Sequence, residues 1–135
     1  MPQFSTGSRQ KLLTCHPDIQ RVLEVAIRHI DFSVREGHRG QAAQNAAFAA
    51  GNSQLKWPLS KHNKKPSDAV DIDPYPVDFA ESTPAIERYA LLAGVVMTIA
   101  DQMGVRLRWG GDWNRNQDTR DEHFRDRGHF ERLAE

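Results

Sequence analysis

Two stretches of sequence decide the fold of this chain: Ala69-Val70-Asp71-Ile72-Asp73 and His129-Phe130-Glu131-Arg132-Leu133. Both have the composition of short β-strands. Ser60-Lys61-His62 precedes the first strand, and Asp126-Arg127-Gly128 precedes the second. Side chains at the ends of neighbouring strands can converge on one ion. The two stretches therefore predict a site shared between two strands.

The residue types at this predicted site are those of a hydrolytic metal centre. His62, Asp71 and His129 supply two imidazoles and one carboxylate, which leave one tetrahedral position of zinc open for water. Asp126 lies three residues before His129 and can act as a general base. Spacing alone leaves the metal site open, because the chain contains no HExxH or cysteine-pair pattern.

The rest of the chain predicts an α+β fold. Proline at a first helical turn, Ala-rich stretches and apolar periodicity indicate helices, and alternation indicates two further strands. Helices and strands do not follow βαβ order, so we expect one domain over residues 1–135 with a small antiparallel sheet and flanking helices. Residues 1 to about 9 are predicted to be irregular. The further predicted elements are helices at Pro17–Ile30, Gln41–Ala50 and Ala85–Gly104, and strands at Phe32–Val34 and Val105–Trp109.

Composition excludes several functional classes. The 18 basic and 18 acidic residues cancel, which argues against nucleic acid as a partner. No stretch approaches the ~20 apolar residues of a membrane span, so no stable membrane insertion is expected. Cys15 is the single cysteine, which fits folding in a reducing compartment. Residues 1–5 lack the pattern of a secretory signal.

Several motifs jointly resemble those of one known family. Ser60-Lys61-His62 leading to Ala69-Val70-Asp71, with Asp126-x-x-His129, is similar to the zinc peptidases of the D-alanyl-D-alanine carboxypeptidase type, above all the phage L-alanyl-D-glutamate endopeptidases (endolysins). The resemblance implies a hedgehog/DD-peptidase-like fold and covers essentially the whole chain. Its further matching positions are Phe4, Ser8, Leu12, His16-Pro17 and Trp109–Asn114.

The resemblance implies three zinc ligands and a catalytic carboxylate: His62, Asp71, His129 and, as the carboxylate, Asp126. The common family spacing between the first His and the Asp is two residues shorter and contains a Gly. Asp73 is therefore an alternative ligand, because it would share a face of the strand with Asp71, whereas Asp68 would face the opposite side. The match of Ala69-Val70-Asp71 to the family motif favours Asp71.

Three further residues acquire roles through the resemblance. Arg39 resembles the family's upstream arginine, which would stabilise a developing oxyanion or hold a substrate carboxylate. A salt bridge with Glu36 is the alternative for Arg39. Ser60 resembles the serine beside the first ligand. Trp113, like Trp57, flanks the predicted site and can line a groove for peptide, and anchoring of the core or a loop is the alternative. We expect both Ser60 and Trp113 to contact substrate.

A second metal-like pattern lies in the predicted loop after residue 109. Oxygen-bearing side chains stand at alternate positions, as they do in calcium loops: Asp112, Asn114, Asn116 and Asp118. The helix-loop-helix setting is absent, Gln117 replaces the turn glycine, and His123 stands where a bidentate Glu would be. Two interpretations stay open, a regulatory Ca²⁺ site and a polar loop that folds over the active site.

The resemblance implies a zinc-dependent peptidoglycan hydrolase that cleaves the L-alanyl-D-glutamate bond of stem peptides. Such a protein is expected to be a monomer, made in the bacterial host cytoplasm without a signal peptide and active on the cell wall after release. One alternative is a D-alanyl-D-alanine carboxypeptidase, which needs a second basic group that the sequence does not identify. Another is a non-catalytic zinc-containing module that binds cell wall, for which Asp126 would be unnecessary.

Overall fold

The computed structural model describes residues 2–134, which form helices around one antiparallel sheet. The strands are β1 (Phe32–Glu36), β2 (Ala69–Pro74), β3 (Leu107–Trp109) and β4 (His129–Arg132). The α-helices are α1 (Thr6–Leu12), α2 (Pro17–Ala26), α3 (Gln41–Ala49) and α4 (Thr83–Gln102), with 3₁₀ turns at Lys61–Asn63 and Thr119–Asp121. The strand order is β1-β2-β4-β3. The predicted α+β class and antiparallel sheet are confirmed.

Capping side chains explain where the helices begin. Ser5 Oγ accepts a hydrogen bond from the Ser8 N–H at 3.1 Å, so α1 starts at Thr6. The prediction of an irregular segment to about residue 9 is therefore wrong. Pro17 occupies the first turn of α2 as predicted, where a missing N–H has no cost to the helix.

The register of the two central strands separates an apolar face from a polar face. Val70 lies opposite Phe130, and Asp71 lies opposite His129. Because side chains alternate along a strand, Val70, Ile72 and Phe130 all enter the hydrophobic core. Asp71 and His129 consequently face the opposite side of the sheet.

A β-bulge interrupts the pairing of β1 with β2. Val34 pairs with Ile72 and Glu36 pairs with Asp71, so Arg35 is an extra residue with no partner in the register. Bulges change the direction of the side chain that they carry and are common beside active sites. Arg35 follows the core residue Val34 and so lies on the polar face, where its guanidinium contacts carboxylates of β2.

Helices α2 and α4 cover the apolar face. Leu92 and Val96 of α4, with Val22 and Leu23 of α2, are buried in the same core as the sheet residues. The helices therefore bury the apolar face of the sheet. The polar face of the sheet stays available for the site. Across residues 2–134, no helix has the length and apolar character needed to cross a membrane.

We expect Leu92→Ala to lower the free energy of unfolding by about 2–5 kcal/mol, because it removes a fully buried side chain from the core of α4. Leu91 is the matched control, since it precedes Leu92 in the same helix and is 63% exposed. Leu91→Ala should change stability by no more than about 0.5 kcal/mol. Urea titration followed by circular dichroism measures both values, and equal losses would contradict this packing.

Candidate active site

Three donor atoms from separate segments meet on the polar face of the sheet. His62 Nε2 lies 3.2 Å from Asp71 Oδ1 and 3.3 Å from His129 Nδ1, and His129 Nδ1 lies 3.0 Å from Asp71 Oδ1. Ligands about 2.0–2.1 Å from a tetrahedral zinc ion stand roughly 3.3 Å apart, so this triangle fits three corners of such a site. Within residues 2–134, this is the one cluster of three or more His, Cys, Asp or Glu side chains that can hold a metal ion.

Two local structures bring these donors together. The β2–β4 register places Asp71 directly opposite His129. The 3₁₀ turn carries His62, whose N–H donates to Ser60 Oγ at 3.2 Å, while the Ser60 N–H donates to Asn63 Oδ1 at 3.0 Å. Ser60 is thus the cap of the turn that presents His62. Its predicted contact with substrate stays a prediction.

Hydrogen bonds behind the two imidazoles fix which nitrogen faces the cluster. His62 Nδ1 lies 2.8 Å from the Gly37 carbonyl oxygen, which can only accept a hydrogen bond. His129 Nε2 lies 2.9 Å from Glu131 Oε1, which is a carboxylate oxygen. Both outer nitrogens therefore carry a proton, and His62 Nε2 and His129 Nδ1 are the nitrogens that face the cluster and would bind a metal in its deprotonated form. The site supports each imidazole ligand from behind.

The two oxygens of Asp71 have different neighbours. Oδ1 contacts both imidazoles, whereas Oδ2 lies 3.8 Å from Arg35 Nη1 and 3.6 Å from Arg39 Nη2. Burial raises the pKa of Asp71, but hydrogen bonds with His129 and His62 outweigh burial and hold that pKa well below its ordinary value. Asp71 is therefore a carboxylate at neutral pH, as a metal ligand must be.

A buried ion pair lies behind His129. Burial lowers the pKa of His129, while hydrogen bonds with Asp71 and Glu131 raise it to about 9. Burial raises the pKa of Glu131, but hydrogen bonds with His129 and Arg108 lower it to about 2. Arg108 Nη2 lies 2.6 Å from Glu131 Oε2. Glu131 is consequently charged and increases the basicity of the imidazole ligand.

Asp126 lies at the edge of the cluster, as the sequence predicts. Its Oδ2 is 4.0 Å from His129 Nδ1, and its side chain is 33% exposed. A Cβ at Gly110 would overlap the Asp126 carbonyl oxygen, so the glycine permits this close approach of the two loops. Burial raises the pKa of Asp126, and the charge of Asp71 raises it further. A raised pKa makes this carboxylate a stronger base than an ordinary Asp.

Arg39 makes the salt bridge considered for it and also lies beside the cluster, while its role toward substrate stays a prediction. Its Nε and Nη2 donate to the two carboxylate oxygens of Glu36 at 3.0 and 2.9 Å, which is the predicted salt bridge. Nη1 donates to Gln44 Oε1 at 3.0 Å. The guanidinium nevertheless lies beside Asp71 and is mostly buried. Arg39 therefore brings fixed positive charge to the site through a firmly held side chain.

Trp113 forms a wall of the site. Its ring lies 5.4 Å from the His129 ring, and it stacks on Phe124 at 6.3 Å. The guanidinium of Arg108 lies over the indole at 5.4 Å, and the indole N–H donates to the Phe124 carbonyl. Trp113 thus shields one ligand from water while staying partly exposed. A contact with substrate stays a prediction for this residue.

The Asp112–Asp118 loop folds around its own oxygen-bearing side chains. Asp112 Oδ2 accepts the Gln117 N–H at 2.8 Å, and Asn116 Oδ1 accepts the Asp118 N–H at 2.9 Å. Gln117 has φ 65°, the left-handed conformation that glycine supplies in calcium loops. The amides of Asn114 and Asn116 both donate to the Asp121 carboxylate. The loop is thus held by hydrogen bonds among its own groups, while Asp118 pairs with Arg120, and it lacks the helix-loop-helix setting.

Sequence reasoning missed two polar residues on this face, Arg35 and Glu131. Arg35 follows the core residue Val34 on β1, so alternation places it on the polar face, where it lies beside Asp71. Asp73 shares the face of Asp71 as predicted, but its oxygens accept hydrogen bonds from Arg35 and Tyr89, and it lies outside the donor cluster. Glu131 was detectable, because a residue two positions after His129 on a strand shares its face.

The fold and the site have the features expected of a hydrolytic metal centre: three donors that could hold a metal ion, an adjacent carboxylate and an aromatic wall. Comparisons with known proteins specify the class of protein. Residues 1–133 match the family of phage L-alanyl-D-glutamate peptidases. The L-alanyl-D-glutamate peptidase of Escherichia phage T5 is 33% identical over 139 residues, which cover 96% of each chain.

A solved structure gives the same result. The L-Ala D-Glu endopeptidase ChiX of Serratia marcescens superposes with a TM-score of 0.74 and 31% sequence identity, covering 97% of this chain and 90% of that one. The chain belongs to the phage L-alanyl-D-glutamate peptidase family. The family resemblance predicted from the motifs is thereby confirmed, and the protein is a peptidase.

We expect Glu131→Gln to weaken metal binding about 10- to 100-fold, because the variant loses the charged acceptor that orients His129. Isothermal titration with zinc measures the affinity. Glu24→Gln is the control, since it alters an exposed carboxylate that pairs with Arg9. Equal affinities for Glu131→Gln and Glu24→Gln would show that the carboxylate behind His129 does not support the site.

Proposed function

We propose that the protein is a zinc-dependent peptidoglycan endopeptidase that cleaves the L-alanyl-D-glutamate bond of stem peptides. Membership of the phage L-alanyl-D-glutamate peptidase family supports this assignment of the bond. The proposed metal dependence is supported by one observation: the donor atoms of His62, Asp71 and His129 form a buried triangle, and Asp126 lies at its edge. A site of this kind suits hydrolysis of an amide, which needs both an activated water and a proton shuttle.

In the proposed mechanism, His62, Asp71 and His129 hold zinc. Zinc bound there would supply Lewis-acid chemistry, polarising the scissile carbonyl and lowering the pKa of a coordinated water to about 7. The chain contributes two imidazoles, each oriented by a hydrogen bond from its outer nitrogen, and one charged carboxylate. The donor set is rigid before any substrate arrives, because each ligand has a partner behind it.

Asp126 is the proposed proton shuttle. It accepts a proton from the attacking water and passes it to the amine of the leaving D-glutamyl residue. Its raised pKa, caused first by burial and then by the Asp71 charge, brings its basicity closer to that required at neutral pH. Arg39 is proposed to stabilise negative charge that develops on the carbonyl oxygen, since its guanidinium is held beside the cluster by Glu36 and Gln44.

Ser60 and Trp113 are proposed to border the bound peptide. Ser60 caps the turn that carries His62, and the partly exposed Trp113 ring lies against His129. Both residues are therefore next to a proposed ligand, where the scissile bond must lie. We also propose that the protein acts as a monomer on the cell wall, after synthesis in the host cytoplasm.

The assignment of the bond is tested by digestion of purified peptidoglycan, with and without a zinc chelator, followed by mass spectrometry. We expect new L-alanine C-termini and D-glutamate N-termini that disappear when zinc is removed and return when it is restored. Release of free D-alanine alone would instead identify a carboxypeptidase. A protein that yields no zinc-dependent product, yet binds the polymer, would be a binding module.

The role of Asp126 is tested by Asp126→Asn, which keeps the size of the side chain and removes the base. We expect kcat/KM for stem peptide to fall about 10²- to 10⁴-fold, with bound zinc unchanged. Asp101→Asn, an exposed position in the last turn of α4, serves as the control. Unchanged hydrolysis in the zinc-loaded Asp126→Asn protein would exclude Asp126 as the base.

Calcium binding by the Asp112–Asp118 loop is a separate proposal. Two features support it: the left-handed Gln117, a conformation that glycine supplies in calcium loops, and the alternate spacing of Asp112, Asn114, Asn116 and Asp118. With zinc bound throughout, we expect added Ca²⁺ to raise the melting temperature and activity of the protein, and Asp112→Asn to remove both effects. Indifference of the zinc-loaded protein to Ca²⁺ would show that the loop is only a polar cover.

A further inference from the structure

A cavity adjoins the metal cluster on the side of Asp126. Its walls include Arg35, Phe79, Tyr89, Asp126 and Arg127. Asp126 belongs both to this cavity and to the edge of the donor cluster. A group that enters the cavity is therefore next to the proposed proton shuttle.

Arg35 is fixed at this cavity by three structural features. It follows the core residue Val34 on β1, so alternation along the strand puts it on the polar face. Its Nε donates to Asp73 Oδ2 at 2.9 Å, and Asp73 is itself held by a hydrogen bond from the Tyr89 hydroxyl at 2.7 Å. The guanidinium lies over the Phe79 ring at 5.6 Å. Arg35 is thus anchored while its side chain is 43% exposed.

The Arg35 guanidinium keeps donors for a ligand. Within residues 2–134 it donates one hydrogen bond, from Nε, and its Nη1 is too far from Asp71, at 3.8 Å, for a second. The other guanidiniums at the cavity are engaged, because Arg127 donates to both oxygens of Glu81 and Arg125 donates to the Thr119 carbonyl. Two terminal nitrogens on one fork can bind both oxygens of a carboxylate.

The leaving D-glutamyl residue carries a carboxylate that can reach Arg35. Proton transfer from Asp126 to the leaving amine requires the D-glutamyl nitrogen to lie at Asp126. Glutamate carries two carboxyl groups, and when the peptide continues through one of them the other is free. That free group lies within a few bonds of the nitrogen at Asp126. It can therefore reach the cavity that Asp126 borders.

We propose that Arg35 binds the free carboxylate of the leaving D-glutamyl residue and makes the enzyme prefer an acidic glutamyl residue over its amidated form. The inference rests on the proposed function, because it assigns a subsite for the group that leaves in that reaction. The competing role for Arg35 is purely structural, as the cation that balances Asp71 and Asp73. The two roles differ in whether the charge of the substrate matters.

The first test uses the unaltered, zinc-loaded protein. Two synthetic peptides both contain the L-alanyl-D-glutamyl bond, and in both the chain continues through the same carboxyl group of the glutamate. The remaining carboxyl group is free in the first peptide. It is a primary amide in the second peptide. We expect kcat/KM to be about 10- to 100-fold higher for the free carboxylate, since the amide loses a charge-assisted pair. Equal kcat/KM for the two peptides would overturn the inference. Cleavage of neither peptide would instead overturn the proposed function.

Variants then assign the preference to Arg35. Arg35→Gln should reduce the ratio of the two kcat/KM values to about one, and Arg35→Lys should give an intermediate ratio, because lysine keeps the charge and loses the fork. Arg127→Gln is the matched control, a guanidinium of the same cavity that pairs with Glu81, and should keep the wild-type ratio. Zinc content is measured for each variant. A full preference in zinc-loaded Arg35→Gln would overturn the assignment. If that variant does not fold, a full preference in Arg35→Lys would overturn it. A preference that is reduced in Arg127→Gln instead would also overturn it.

Discussion

The pairing of Asp71 with His129 across β2 and β4 is the constraint on which the site depends. Antiparallel register puts these two residues opposite each other and puts their neighbours, Val70 and Phe130, opposite each other in the core. A slip of one residue would exchange the two faces, burying charged groups among apolar ones. The free energy that holds Val70 and Phe130 in the core therefore also holds Asp71 and His129 together. Helices α2 and α4 contribute to the site by covering the apolar face.

Buried charge on the polar face is stable because each charged group has a partner. Asp71 contacts two imidazoles through one oxygen and faces Arg35 and Arg39 with the other. Glu131 pairs with Arg108 as well as with His129. Removing one member would leave its partner buried without compensation, which costs more than the pair itself contributes. The site is consequently a single connected network, in which the groups behind the ligands are as necessary as the ligands.

The sequence predicted the parts of this network that follow from strand periodicity. Asp71, His129 and Asp126 lie where their motifs placed them, and His62 joins them through its turn. Arg35 was missed although alternation from the core residue Val34 places it on the polar face, and the sequence gives no sign of the bulge that leaves it without a partner in the register. The start of α1 was also misjudged, because the sequence does not show that Ser5 Oγ accepts a hydrogen bond from the Ser8 N–H and so caps the helix. Local patterns predicted the elements, while irregularities of register and capping required the structure.

Arg35 and Arg39 are four residues apart and approach the same oxygen of Asp71, yet their surroundings give them different capacities. Arg39 is mostly buried and bound to Glu36 and Gln44, so its geometry is fixed and its charge acts on the cluster itself. Arg35 has one anchoring hydrogen bond and an exposed fork. A rigid cation suits the stabilisation of charge that appears during reaction, whereas a cation with free donors suits the binding of charge that the substrate already carries. The end of β1 at Glu36 thus separates a group suited to recognition, on the strand, from a group suited to the chemical step, in the segment that follows.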